Sequence, residues 1–154
     1  MVLKCSKNID RMEYLQSLEW NDFLENSLRR LLSMNPIPYS QITPSVIPVE
    51  KGIYLISEAT GLVEICLYVG RTKNLQERLY RNHLMGDLAN ARLKKYICND
   101  TSHEAFGDKN KAKAYIKANC QVRWIFEPDV RKRGALESYF TARLFPKYGI
   151  SDEH

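Results

Sequence analysis

Four prolines, Pro36, Pro38, Pro44 and Pro48, fall within 13 residues of a 154-residue chain. Each fixes its φ near −65° and lacks an amide donor, so neither a helix nor an interior strand runs through this stretch. Residues 34–50 are therefore expected to form an extended linker on the surface, dividing the chain into two parts with different patterns. Before the prolines, from Asp10 to Ser33, Leu15, Leu18, Phe23, Leu24, Leu28, Leu31 and Leu32 repeat with a helical period. That spacing predicts an N-terminal amphipathic helix.

After the prolines the period shortens. Gly52 to Ser57 and Glu64 to Gly70 are two short apolar runs on either side of Gly61, the pattern of a β-hairpin. A turn centred on Gly61 sets Tyr54 opposite Tyr68 and Ile56 opposite Cys66, so that both tyrosines leave one face of the sheet. Beyond Gly70, Leu75, Arg78, Leu79, Asn82 and His83 share one side of a helix, and Leu88, Leu93, Tyr96 and Ile97 mark a second. Asp108–Ala118 reads as a further helix, Gln121–Glu127 as a third strand stopped by Pro128, and Lys132–Leu144 as a last helix with Leu136, Tyr139, Phe140 and Leu144 inside. The order predicts an α+β fold: a small three-stranded, mainly antiparallel sheet flanked by helices, with the N-terminal helix as an extension. Residues 1–50 are expected as helix and linker, and residues 51–150 as the domain.

Charge separates the two parts as well. Residues 1–64 carry six basic and eight acidic side chains, whereas residues 65–154 carry 17 basic and ten acidic. A basic surface of that kind suits a polyanion such as nucleic acid, although a solvated face that only aids solubility is the ordinary alternative. Cys5, Cys66, Cys98 and Cys120 are widely spaced with no CxxC pair, so buried reduced thiols are expected rather than a zinc site or disulfides. No apolar run approaches the roughly 20 residues of a membrane span, and Met1–Asp10 has no apolar signal core. A soluble cytoplasmic protein is the expectation.

The hairpin reads Gly52-Ile53-Tyr54 and later Tyr68-Val69-Gly70, followed by Arg71, Lys73, Leu75 and Arg78; Ala135-Leu136-Glu137 and Pro146-Lys147-Tyr148 come near the end. In these pieces, from about Gly52 to about Tyr148, the sequence resembles the GIY-YIG nuclease family, and most of all the nuclease half of the bacterial excision-repair incision protein. The resemblance implies a phosphodiester hydrolase that uses Mg²⁺ or Mn²⁺ on DNA, or on RNA. It implies that Glu137 holds the metal, that Arg78 contacts the phosphate, and that Tyr54 or Tyr68 acts on the attacking water.

The residue chemistry is compatible with those roles. A free tyrosine has a pKa near 10 and is only ~0.1% ionised at pH 7, so a tyrosinate base needs a cation beside it. Arg71 and Lys73, directly after Tyr68, are the expected source. Arg92 and Lys95, with Arg81 and Lys94, and Arg131 and Arg133, with Lys132, are candidates for phosphate contacts on either side of the cut; Asn82 is a further candidate substrate contact.

Two positions depart from the family pattern. Four residues after the key arginine, where many members carry histidine or tyrosine, stands Asn82, with His83 one step on. A one-residue step turns a helical side chain by about 100°, so His83 serves only if the helix is locally shifted. Gly149 stands where the repair nucleases usually carry asparagine. These departures motivate a rival reading, a nucleic-acid-binding module with weak or lost catalysis. With no zinc finger or helix-turn-helix in sight, cutting is expected to be structure-directed or weakly sequence-specific. The N-terminal helix is a candidate for docking a partner protein or a second copy.

Overall fold

The helical period before the prolines forms α1 (Val2–Ser33), and the chain then enters the sheet sooner than its prolines suggest. The computed structural model describes residues 2–88 and 91–150, with side chains from Ser17 onward; Cys5 and Leu15 lie outside the described side chains. Within α1, Leu24, Leu28 and Leu31 are buried at spacings of four and three, while Leu18 and Leu32 stay exposed.

Ile37–Pro38 forms β1, which pairs antiparallel with β4 (Cys120–Phe126). β4 pairs with β2 (Gly52–Thr60), and β2 with β3 (Val63–Thr72), so the sheet has four antiparallel strands in the order β1-β4-β2-β3. The expected three strands are thus joined by a fourth from the proline segment. Pro38 is tolerated because β1 is an edge, where a missing amide leaves no ladder bond unmade.

The surface linker also needs correction. Tyr39, Ile42 and Ile47 between the prolines are buried, and the Gln76 side chain donates to the carbonyls of Pro44 and Ile47. Three large apolar side chains stabilise the packed position by roughly 1.5–3 kcal/mol each. This outweighs what prolines forbid, since they exclude regular structure and not burial.

The hairpin register differs from expectation by two one-residue steps in the same direction. The turn residues are Gly61 and Leu62, with Gly61 at φ 62°, and Thr60 faces Val63. A two-residue turn with glycine first matches the twist of the strands. Closer to the site the register shifts once more between Ile56 and Ser57, where Leu67 is left without a partner. Tyr54 therefore faces Gly70, and Tyr68 faces Ile56. Two one-residue shifts restore the parity of the strands, so Tyr54 and Tyr68 still project from one face, as diagonal neighbours with ring centroids 6.1 Å apart.

After β3 the chain winds into a π-helix over Glu77–Leu84, in which the Met85 amide donates to the carbonyl of Tyr80 at 3.0 Å. Then follow α2 (Arg92–Asn99), α3 (Lys109–Asn119) and α4 (Val130–Leu144). Asp108 and Asp129 cap α3 and α4 by accepting from amides of their first turns. α4 stops at Leu144 because Pro146 follows and disfavours helical dihedrals in Phe145 before it.

Both faces of the sheet are covered. Tyr54, Ile56, Tyr68 and Val122 pack with Leu79, Leu93, Ile97 and Ile116 on one side. Ile53, Leu55, Val69 and Ile125 pack with Leu24, Leu28, Leu31, Leu136 and Phe140 on the other. The edge of β3 opposite β2 is partly occupied by the C-terminal segment, where the Lys147 and Tyr148 amides donate to the carbonyls of Cys66 and Leu67. Cys98 and Cys120 are buried and Cys66 is half-buried, and all three are free thiols. Among the described residues no helix is long and apolar enough to cross a membrane.

Candidate active site at the edge of β3

Tyr54 lies under the site, fully buried on the central strand β2. Its hydroxyl rests on Gly70, where a Cβ would come within 2.3 Å of the tyrosine oxygen. A Gly70→Ala protein is therefore expected to push Tyr54 aside and lose about 1–3 kcal/mol, measured by thermal unfolding. Burial raises the Tyr54 pKa well above that of free tyrosine, Tyr68 raises it further, and Arg78 opposes the shift. At neutral pH Tyr54 is a protonated phenol.

Two groups meet that phenol. Arg78 Nε donates to its oxygen at 3.1 Å, and His83 Nε2 lies 2.8 Å away. His83 is fully buried, and its Nδ1 has no hydrogen-bond partner among the described residues. With Arg78 Nε donating to the same phenol, the Tyr54 hydroxyl and His83 Nε2 share one hydrogen bond whose direction follows the imidazole tautomer. The π-helix is what brings His83 here. Its wider turn supplies the local shift that a one-residue displacement of the histidine requires, and such segments are common at functional sites. Asn82 is half-buried, with its carbonyl accepting from the amides of Met85 and Gly86.

Burial, helped by the charges of Arg78, Arg92 and Lys94, holds the His83 pKa well below that of free histidine. Below the unfolded value near 6.5, the unfolded chain binds a proton that the folded imidazole refuses, so stability present above that pH is lost as pH falls. The loss amounts to at most about 1.4 kcal/mol per pH unit. Thermal unfolding at pH 7 and pH 5 should show a smaller acid loss for His83→Gln than for the parent.

Tyr68 and His83 are also in contact, edge to face at 5.4 Å, and Tyr68 leans on Tyr96 at 6.3 Å. Unlike Tyr54, Tyr68 lines an open cleft of about 690 Å³, together with Arg92, Tyr96, Glu137, Phe145 and Tyr148. Tyr96 stacks on Tyr148 at 5.9 Å, and Tyr148 donates to Asp100 at 2.7 Å. Asp100 also pairs with Lys147 at 3.3 Å. Asp100 and Phe145 were absent from the sequence reading. Their roles depend on a loop and a helix end meeting across about 45 residues, a distance no local pattern encodes.

Glu137 enters the cleft from α4 on the other side of the sheet. Its Oε2 lies 3.1 Å from Arg71 Nε. Burial raises the Glu137 pKa, while Arg71, Arg92 and Arg78 oppose the rise. Three guanidinium groups thus surround one carboxylate. Arg71 leaves β3 on the face opposite Tyr68, so its partner is Glu137 and not the tyrosine. Arg78 is the cation near both tyrosines: burial disfavours its charge, but Tyr54 and Tyr68 raise its pKa.

Residues 50–121 match the family model of the GIY-YIG catalytic domain. Over that stretch, just under half of the chain, the sequence is similar to the GIY-YIG nuclease family. No curated protein and no solved structure matches the chain. The GIY-YIG match spans the hairpin, both tyrosines, Arg71, Arg78 and His83, and indicates nuclease-type activity on a nucleic acid. It ends before α4, so Glu137 is a candidate here through its position in the cleft and its pairing with Arg71.

Some expected substrate contacts lie elsewhere. Lys73 lines a separate cavity of about 650 Å³ with Lys51 and Phe126. Arg133 is buried, and its Nη1 donates to the carbonyls of Glu127 and Pro128. Lys94 is likewise buried on the carbonyls of Leu84 and Gly86. Arg81, Arg92, Lys95 and Arg131 are exposed, Arg131 beside Trp20 rather than in the GIY-YIG cleft. Gly149 adopts φ 92°, close to the Tyr68 ring. That conformation suits glycine, and a β-branched or bulky residue would be strained in it.

Proposed function

We propose that this protein is a metal-dependent endonuclease that hydrolyses DNA phosphodiester bonds and selects its target by structure more than by sequence. The observation that carries the reading is the convergence of Tyr68, Arg92 and Glu137 on one cleft at the edge of β3, with Arg78 bonded to Tyr54 and interacting with Tyr68. In this reading residues 51–150 carry the nuclease-like site, while residues 37–47 complete the edge and core of the same sheet and α1 packs on its other face.

The donor set fits a hard divalent cation of low protein-ligand demand. Among the described residues no cluster of three or more His, Cys, Asp or Glu side chains could hold a metal, whereas Glu137 stands at the cleft with its side chain 33% exposed. One carboxylate suits Mg²⁺ or Mn²⁺, which retain waters and take further ligands from substrate phosphate. Bound there, the ion supplies charge neutralisation at the phosphoryl and leaving oxygens.

The remaining steps fall to the chain. Tyr68 faces the cleft and accepts the proton of the attacking water, while Arg78 provides the positive charge that a phenolate needs and binds a phosphate oxygen. Tyr54, held protonated by burial, orients Arg78, and His83 orients Tyr54. Arg81, Arg92 and Lys95 neutralise neighbouring phosphates.

The rival reading, binding without cleavage, rested on Asn82 and Gly149. The π-helix brings His83 to Tyr54, and the φ of Gly149 suits a glycine, so neither position speaks for a lost site. End-labelled flaps, junctions, nicked duplex and single strands, each incubated with Mg²⁺ and with EDTA, test the proposal. The expected result is cleavage with Mg²⁺ alone and fastest on a branched or interrupted duplex. Tight binding with no metal-dependent product on any substrate would favour the rival.

A further inference from the structure

Phe145 is the only residue other than glycine with a positive φ among the described residues, at φ 45° and ψ 64°. It occupies the end of α4, a position where glycine is the unstrained choice. A large ring is held there instead, and it is 77% exposed. An exposed aromatic in a disfavoured backbone conformation invites a functional account.

The ring lines the same cleft as Tyr68, Arg92 and Glu137. Beside it runs an aromatic series fixed in place: Tyr68 against Tyr96, and Tyr96 stacked on Tyr148 with the planes 8° apart. Asp100 anchors the Tyr148 hydroxyl, and the Tyr148 amide is bonded to the edge of β3. Flat rings thus adjoin a guanidinium within one cleft, next to the residues assigned to phosphodiester hydrolysis. A nucleotide carries the complementary pair of groups, a flat base and an anionic phosphate. Bases inside an intact duplex have their faces covered by neighbours, so only an unpaired nucleotide offers a free face to Phe145.

We propose that Phe145, with Tyr96 and Tyr148, forms a stacking subsite for an unpaired nucleobase adjacent to the bond being cut, and that this subsite selects flapped or interrupted DNA. The inference rests on the nuclease reading and deepens it. Stacking of one base on an aromatic side chain corresponds to roughly a 5- to 150-fold gain in affinity.

The test uses the full chain in EDTA and a duplex carrying one unpaired 2-aminopurine, beside the same duplex fully paired. The parent is expected to bind the unpaired probe at least fivefold more tightly and to quench its fluorescence. Phe145→Gly should lower that affinity to the level of the paired duplex and abolish quenching, with a melting temperature at or above the parent's because the backbone strain is relieved. Phe145→Trp should retain both signals. A preference that survives in Phe145→Gly, or no preference in the parent, overturns the subsite. Cleavage of the same DNA in Mg²⁺ separates the two claims. Cleavage without a Phe145-dependent preference removes the subsite alone, and a Phe145-dependent preference without cleavage removes the nuclease reading alone.

Discussion

Tyr68→Phe is expected to lower the rate of DNA cleavage by about 10²–10⁴, the usual worth of a positioned general base. The substitution removes one oxygen and its hydrogen bond with Arg78 but keeps the ring contacts with Tyr54, His83 and Tyr96, so the melting temperature should fall less than in Tyr54→Phe. Substrate affinity should change little, and the loss should appear in kcat. Tyr54→Phe provides the contrast. It removes the acceptor of Arg78 Nε in a half-buried setting and the partner of His83 Nε2 in a buried one. An unmatched buried donor costs about 1–3 kcal/mol, so Tyr54→Phe should lower stability as well as rate. Single-turnover rates and thermal unfolding of the two variants, measured together, check the assignment. A larger rate loss in Tyr54→Phe, with Tyr68→Phe near the parent, would exchange the roles of the two tyrosines.

Glu137→Gln should remove cleavage to the limit of detection without harming the fold. The direction on stability follows from the carboxyl's own titration. Burial raises the Glu137 pKa in the folded chain despite three nearby guanidinium groups, so above the unfolded value near 4.3 the ionised form is a net burden on the folded state. Glutamine carries no such burden, although it weakens the pairing with Arg71. The expected melting temperature is equal to the parent's or slightly higher. Adding Mg²⁺ or Mn²⁺ should raise the melting temperature of the parent and leave that of Glu137→Gln unchanged, because a ligand that binds only the folded state stabilises it by mass action. A metal-dependent rise of equal size in both proteins would remove Glu137 from the metal site.

Much of the fold could be read from local patterns. Leu24, Leu28 and Leu31 showed their helix by spacing, and the two apolar runs around Gly61 showed the hairpin. The shared face of Tyr54 and Tyr68 survived an incorrect register because two single-residue shifts preserve strand parity. What escaped depends on partners distant in sequence. β1 exists because β4 offers an open edge to Ile37 and Pro38. Tyr39, Ile42 and Ile47 are buried because the π-helix and sheet leave a place for them, a fact that counting prolines conceals. Lys94 and Arg133 looked like phosphate contacts, since charge is visible in a sequence and the carbonyls that claim it are not.

The site divides along the same line. Tyr54, Tyr68, Arg78 and Glu137 stand out as candidates through motif order, and the structure adds how they are arranged. Arg71 was expected beside Tyr68, yet strand alternation sends it to the opposite face, where it meets Glu137. Whether His83 could reach the site turned on the winding of one helix. A π-helix has no dependable residue signature, so the question needed coordinates.

The central claim, that this cleft hydrolyses DNA with a metal held by Glu137, is tested most directly by incubating supercoiled plasmid with the purified chain and Mg²⁺ beside Glu137→Ala. The account predicts conversion to nicked and linear forms by the parent, stopped by EDTA, and none by the variant. Equal cleavage by both proteins would contradict it.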